Sequence, residues 1–207
     1  MSSLADREKL FLLDLARRAL VLGVEGSESL EICPLHEEIQ KFHQPGGAFV
    51  TLRLRKRLRG CIGQLPSNIP LLQVVAHCAK AAALEDPRFG PVVPDEIGEI
   101  DIEISILSFP EDVKPEEIEP GCHGLIVSRG FQRGLLLPQV AAEFHWSAQR
   151  FLEETCIKGG LEPGAWRENS TRIQAFTAEV FSESSLRIKP EESAWPGSGR
   201  PGYSSST

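Results

Sequence analysis

Gly47-Ala48-Phe49-Val50-Thr51-Leu52-Arg53-Leu54-Arg55-Lys56-Arg57-Leu58-Arg59-Gly60-Cys61-Ile62-Gly63 reads as a β-hairpin. Ala48, Val50, Leu52 and Leu54 alternate with Thr51, Arg53 and Arg55, the period of a half-buried strand. Phe49 interrupts the polar side. A turn at Lys56-Arg57 leads into a return strand over 58–63. Leu58, Gly60 and Ile62 then share the apolar face, and Arg59 and Cys61 point the other way, beside Arg53 and Arg55. Glycine inside a strand marks a bulge or a close backbone approach. Gly60 and Gly63 therefore leave the Cys61 thiol with little steric cover. Arg53, Arg55, Lys56, Arg57 and Arg59 surround it with no acidic residue among them. Fixed positive charge favours the thiolate, which is the nucleophile and the metal ligand. The opposing reading is an inert cysteine in a motif whose glycines encode backbone geometry alone.

Outward from the hairpin, Leu71, Val75, Cys78 and Ala82 line one face of a helix that ends before Asp86-Pro87. Asp86 and Arg88 form a candidate ion pair in the loop beyond. Ile100, Ile102, Ile104 and Ile106 alternate with Asp101, Glu103 and Ser105 as a strand. Residues 110–120 form an acidic loop. A second hairpin follows at 125–128 and 134–137, then one long helix from Pro138 to about Ile157, then a strand over 173–181. Upstream, Ser3–Asp6 has the form of a capping box for a helix reaching about Leu22.

The two halves echo each other. Each contains a hairpin with an Arg-Gly pair (Arg59-Gly60, Arg133-Gly134), a Leu-Pro pair, a helix ending near a cysteine (Cys78, Cys156), and a further strand. A repeated hairpin–helix–strand unit predicts an α+β fold, with mostly antiparallel strands, packed helices and two subdomains. The domain spans 1–188, with halves at 1–110 and 111–188. The Pro-, Gly- and Ser-rich segment 189–207 reads as a disordered tail. A site between the halves would draw Cys61 from one hairpin and the Cys122-His123 region from the other.

The chain has 207 residues and a net charge of −7, which opposes general affinity for nucleic acid or anionic membranes. No apolar run is long enough to span a bilayer, and the N-terminus lacks signal-peptide layout. Five irregularly spaced cysteines fit a reduced cytoplasmic setting rather than a disulfide framework. There is no Walker loop, dinucleotide fingerprint or Gly-x-Ser-x-Gly elbow, and the cofactor is left unknown.

Leu-Arg-Gly-Cys-Ile-Gly at 58–63 resembles the hallmark of the AMME chromosomal region domain family, known in bacteria and archaea as AmmeMemoRadiSam system protein A. Asp86-x-Arg88-Phe89, Glu103-Ile104-Ser105, His123-Gly124-Leu125, Leu137-Pro138-Gln139-Val140 and Cys156-x-Lys158 extend the likeness over roughly 5–188. Gly159 stands where the family usually has Ala. The resemblance implies an α+β fold with two subdomains and an internal duplication. It implies no defined reaction, but places such proteins beside Memo-like and radical SAM proteins in a modification pathway.

Three functions compete. In the first, an enzyme or enzyme component uses Cys61 as nucleophile, Arg59 to lower its pKa or bind an anionic group, and His123 as acid or base. In the second, a non-catalytic module holds a small anionic ligand, nucleic acid or a protein partner on the hairpin. Arg53, Arg55 and Arg59 would supply charge there, and Gly60 and Gly63 close backbone approach. In the third, Cys61, Cys122 and His123 bind zinc or iron; only the last two are paired in sequence, and no metal is assigned.

Overall fold

The computed structural model describes residues 3–27 and 37–186, with backbone alone at 37–39. The proposed tail at 189–207, Cys33 and His36 lie outside the described residues. In chain order the elements are α1 (Asp6–Val24), β1 (Gly47–Leu54), β2 (Arg57–Gln64), α2 (Leu71–Leu84), β3 (Ile100–Leu107), β4 (Glu111–Asp112), β5 (His123–Arg129), β6 (Gln132–Leu136), α3 (Pro138–Glu143), α4 (Ala148–Lys158) and β7 (Arg172–Ser182). The fold is α+β. The strands form one antiparallel sheet in the order β2-β1-β3-β7-β5-β6, with β4 on β7. The order hairpin–helix–strand occurs twice, as β1-β2-α2-β3 and as β5-β6-α4-β7. β7 pairs with both β3 and β5, so the sheet runs unbroken from one half to the other.

The strands' side chains sort onto two faces. Val50, Leu52, Ile102 and Ile104 pack with Leu12, Leu15, Val74 and Val75 of α1 and α2. Leu125, Val127, Ile173 and Ala175 pack with Phe151, Leu152 and Cys156 of α4. Register places both cores on the same face of the sheet. The other face curls upon itself. There Phe49 and Leu65 from the first half meet Ile126, Leu135, Leu137 and Phe176 from the second.

Two glycines let the helices close on the sheet. A Cβ on Gly60 would lie 2.0 Å from the Ala82 carbonyl oxygen of α2, and one on Gly134 would lie 1.9 Å from the Thr155 oxygen of α4. Equivalent positions in the two units thus meet the same steric demand. The obstacle is backbone in both cases, so no rotamer relieves it.

Local details depart from the sequence expectations for identifiable reasons. The hairpin turn falls at Arg55-Lys56, which adopt φ of 50° and 67°. Positive φ at both central residues is what a two-residue turn of right-handed twist demands. α1 is capped from Ala5, whose N–H donates to Glu8 Oε2 at 2.8 Å. Ser3 Oγ is engaged elsewhere, donating to Glu179 Oε1 at 2.8 Å. The single helix expected over 138–157 is two. His145 takes φ 52°, and Ser147 restarts the helix by accepting from Arg150 N–H. Serine competes well for a helix N-terminus, and here its hydroxyl decides the break.

Gly60→Ala and Gly134→Ala are each expected to lower unfolding stability by at least ~2 kcal/mol, because the added methyl must displace helix backbone. Gly98→Ala, with nothing within 4 Å of its Cβ position, serves as the neutral comparison in urea unfolding.

Candidate functional site

β2 is an edge strand, so alternate N–H and C=O groups along it face away from β1. At Cys61 the loop after α2 supplies partners for both. The Cys61 N–H donates to Asp86 Oδ2 at 2.8 Å. The Cys61 carbonyl accepts from Arg88 Nη2 at 3.3 Å. Arg88 also donates to Asp86 through Nε at 3.0 Å and Nη2 at 2.7 Å, and its N–H reaches Asp86 Oδ1 at 3.1 Å. The Asp86 side chain is 1% exposed. Chiefly the Arg88 guanidinium, with the N–H groups of Cys61 and Arg88, holds its carboxyl well below the usual aspartate range. The loop-stabilising pair read from the sequence therefore reaches the backbone of the motif cysteine itself.

Because Cys61 turns its backbone outward, it stands opposite Thr51 in a pair with no mutual ladder bonds, where side chains approach most closely. Thr51 Oγ1 donates to Cys61 Sγ at 3.3 Å. The row continues to Glu103 on β3 and Ser182 on β7. Arg53, next along this face of β1, donates to Glu103 Oε1 at 3.4 Å. Cys61 is partly exposed on the concave face.

The rest of Leu58–Gly63 is occupied by structure. Gly60 lies under α2. A Cβ on Gly63 would enter the Phe49 ring, at 2.1 Å. Arg59 is the extra residue of a β-bulge, with Gly60 opposite Leu52 and Leu58 opposite Arg53. The bulge turns Arg59 toward the loop before β3. There Nε and Nη2 donate to Glu96, and Nη1 and Nη2 to the carbonyls of Gly90 and Pro91. Arg59 therefore does not stand beside the thiol as expected, and each of its three nitrogens is engaged elsewhere. Arg55 is likewise held by Glu99 through Nε and Nη2. The hairpin's positive field is met by acidic residues from other elements, a match that spacing within the hairpin could not show.

His123 is not brought to Cys61. It pairs with Thr177 of β7, and Gly124 pairs with Phe176. Gly124 takes the concave side because the Phe176 ring fills the space a Cβ would need, at 2.4 Å. His123 therefore lies on the helix-bearing face, opposite to Cys61, where its Nδ1 accepts from Glu119 N–H at 3.1 Å. The pairing of His123 with Cys61 as acid or base is not formed, nor is the Cys61, Cys122 and His123 set. Among the described residues no three His, Cys, Asp or Glu side chains are grouped to hold a metal ion.

Cys61, Cys78, Cys122 and Cys156 are free thiols. Cys78 and Cys156 are buried, and desolvation pushes Cys78 up to about 11 and Cys156 also upward. Cys122 is exposed. Among the described residues no helix is long and apolar enough to cross a membrane.

An antiparallel sheet with helices on one face, whose edge hairpin turns a cysteine to the other face, defines the class of domain. The AMMECR1 family model matches residues 13–181, and the chain belongs to that family. A protein of Methanothermobacter thermautotrophicus is 42% identical over 179 residues, covering 83% of this chain and 92% of its own. One from Thermococcus gammatolerans is 40% identical over 184 residues, covering 84% and 89%. The crystal structure of the uncharacterized protein PH0010 from Pyrococcus horikoshii superposes with a TM-score of 0.76 at 38% identity, covering 86% of this chain and 92% of that one. None of these relatives carries a named function.

Asp86→Asn is expected to cost ~1–3 kcal/mol at pH 7, since a buried charged acceptor of several N–H groups is lost. A carboxyl depressed in the folded state contributes fully above its unfolded value of ~4, and loses that contribution as pH falls toward the folded value. The gap between wild type and variant in urea unfolding should hold from about pH 7 to 5 and narrow below about pH 4.

Proposed function

We propose that the protein is an enzyme, or an enzyme component, whose working group is the Cys61 thiol. One observation carries this reading. Gly60, Gly63 and Arg59 have structural tasks, and the Cys61 backbone is clamped by Asp86 and Arg88, while the thiol faces the concave side with the Thr51 hydroxyl on it and the Arg88 guanidinium beside it. A buried, space-filling cysteine has no use for such a rigid mount or for a hydroxyl donor aimed at sulfur. Cysteine attacks an electrophilic carbon as its thiolate. In that step the sulfur lone pair forms the S–C bond and the leaving group departs with its electron pair. The thiol proton goes to solvent. Work in a modification pathway beside Memo-like and radical SAM proteins belongs to the same proposal, as does a cytoplasmic setting, which the four free thiols support.

Iodoacetamide labelling of the native protein, resolved cysteine by cysteine by mass spectrometry, tests the nucleophile. Cys61, though less exposed than Cys122, should react ~10-fold faster, and Thr51→Val should slow it several-fold. Cys78 and Cys156 should stay unmodified. A Cys61 that reacts more slowly than Cys122 overturns the nucleophile and leaves the binding-module reading.

A further inference from the structure

We propose that the Cys61 site takes a small ligand bearing a carboxylate, held by the guanidiniums of Arg53 and Arg88 on the two sides of the thiol. The inference rests on the proposed function and names the ligand class of the same site.

Arg53, Arg55, Arg59 and Arg88 are engaged unequally. Arg55 and Arg59 each spend Nε and Nη2 on a carboxylate, and Arg59 adds two carbonyls. Arg53 uses Nη2 alone, in one 3.4 Å contact, so its Nε and Nη1 have no partner among the described residues. Arg88 spends Nε and Nη2 on Asp86 and on the Cys61 carbonyl, and unlike Arg55 its guanidinium also acts on the Cys61 side chain. These two arginines bracket Cys61. Arg53 is its diagonal neighbour across β1, and Arg88 touches its carbonyl from the outer edge of β2.

The orientation of the pairs matters as much as their number. Arg88 is 54% exposed over an Asp86 that is 1% exposed, and Arg53 is 40% exposed over a Glu103 that is 25% exposed. In each pair the carboxylate is the more buried partner and holds the more exposed guanidinium in place. A planar fork of donors pre-oriented in this way suits a carboxylate.

There is room for the rest of such a ligand. A groove of about 490 Å³ begins at Arg53 and Glu103 and is lined further by Arg55, Glu99, Asp101 and Glu183, with Cys61 and Arg88 outside its lining. Glu103 and Asp101 face this groove as well. A doubly charged phosphate would meet more repulsion from them than a singly charged carboxylate.

The test compares iodoacetate with iodoacetamide on the native full-length chain at low ionic strength. In both reactions the thiolate forms the S–C bond and iodide leaves. The probes differ in that iodoacetate carries a carboxylate. The iodoacetate-to-iodoacetamide rate ratio at Cys61, divided by the same ratio at Cys122, should be at least ~5. It should fall toward one in about 1 M salt. Arg53→Gln should lower it ~3-fold or more, and an unchanged urea-unfolding midpoint shows that the variant is still folded. Arg88→Lys, which keeps the charge but not the fork, should lower it less than Arg88→Gln. Acetate should slow iodoacetate labelling of Cys61 more than inorganic phosphate at matched ionic strength.

A ratio near one in the wild type, with fast iodoacetamide labelling, overturns the carboxylate site and leaves the nucleophile standing. Better protection by phosphate overturns the choice of carboxylate. Slow labelling by both reagents overturns the nucleophile and this inference together.

Discussion

The Asp86 carboxylate, accepting the Cys61 N–H, is the interaction on which the site depends. An edge strand offers its outward amides to water or to another chain, and either alternative leaves the strand free to shift or to pair wrongly. Here the loop after α2 replaces a neighbouring strand at one residue. Asp86 takes the N–H, Arg88 gives to the C=O, and the two bind each other. A buried carboxylate is costly unless charge and donors surround it. Asp86 has both. The outward backbone also places Cys61 in the close type of cross-strand pair with Thr51, so fixing the main chain fixes the surroundings of the sulfur.

The same loop depends on α2, and α2 depends on Gly60. Only with no side chain at Gly60 can the helix backbone descend far enough for its C-terminal end to deliver Asp86 to β2. Behind it, the buried Arg17–Glu183 pair ties α1 to the sheet. Arg17 reaches the carbonyls of Ile97 and Ile100, and Glu183 accepts from Ile102 N–H. The second unit repeats the helix approach at Gly134 but carries no cysteine at the position that follows, where Leu135 turns into the apolar contact between the halves. One scaffold is thus used twice, once to present a thiol and once to close the core.

The fold was largely legible, because it rests on period-two alternation and on turn and helix boundaries that each act over a few residues. Ile100–Ile106 and the two hairpins are examples. The glycines announced close approaches, but not what approached. Gly60 meets Ala82 and Gly63 meets Phe49, contacts that only the assembled sheet defines. The hairpin's basic run was equally visible, whereas its acidic partners Glu96, Glu99 and Glu103 come from a segment some forty residues on. Register decided the fate of His123. A shift of one residue along β5 would have turned it to the concave face, and the packing of Phe176 against Gly124 prevents that. The helix break at Ser147 was missed because the apolar period continues across it.

Amide hydrogen exchange at Cys61 in the native protein, read residue by residue by NMR, tests the central claim that a side-chain carboxylate anchors the motif cysteine. Gly63, two residues further along the same edge of β2, provides the comparison, because its N–H faces the same way without a partner among the described residues. The Cys61 amide should exchange roughly 100-fold more slowly than that of Gly63, and Asp86→Asn should erase most of the difference. Equal exchange at the two positions in the wild type would contradict the account, since Cys61 would then be held no more firmly than the rest of an open edge.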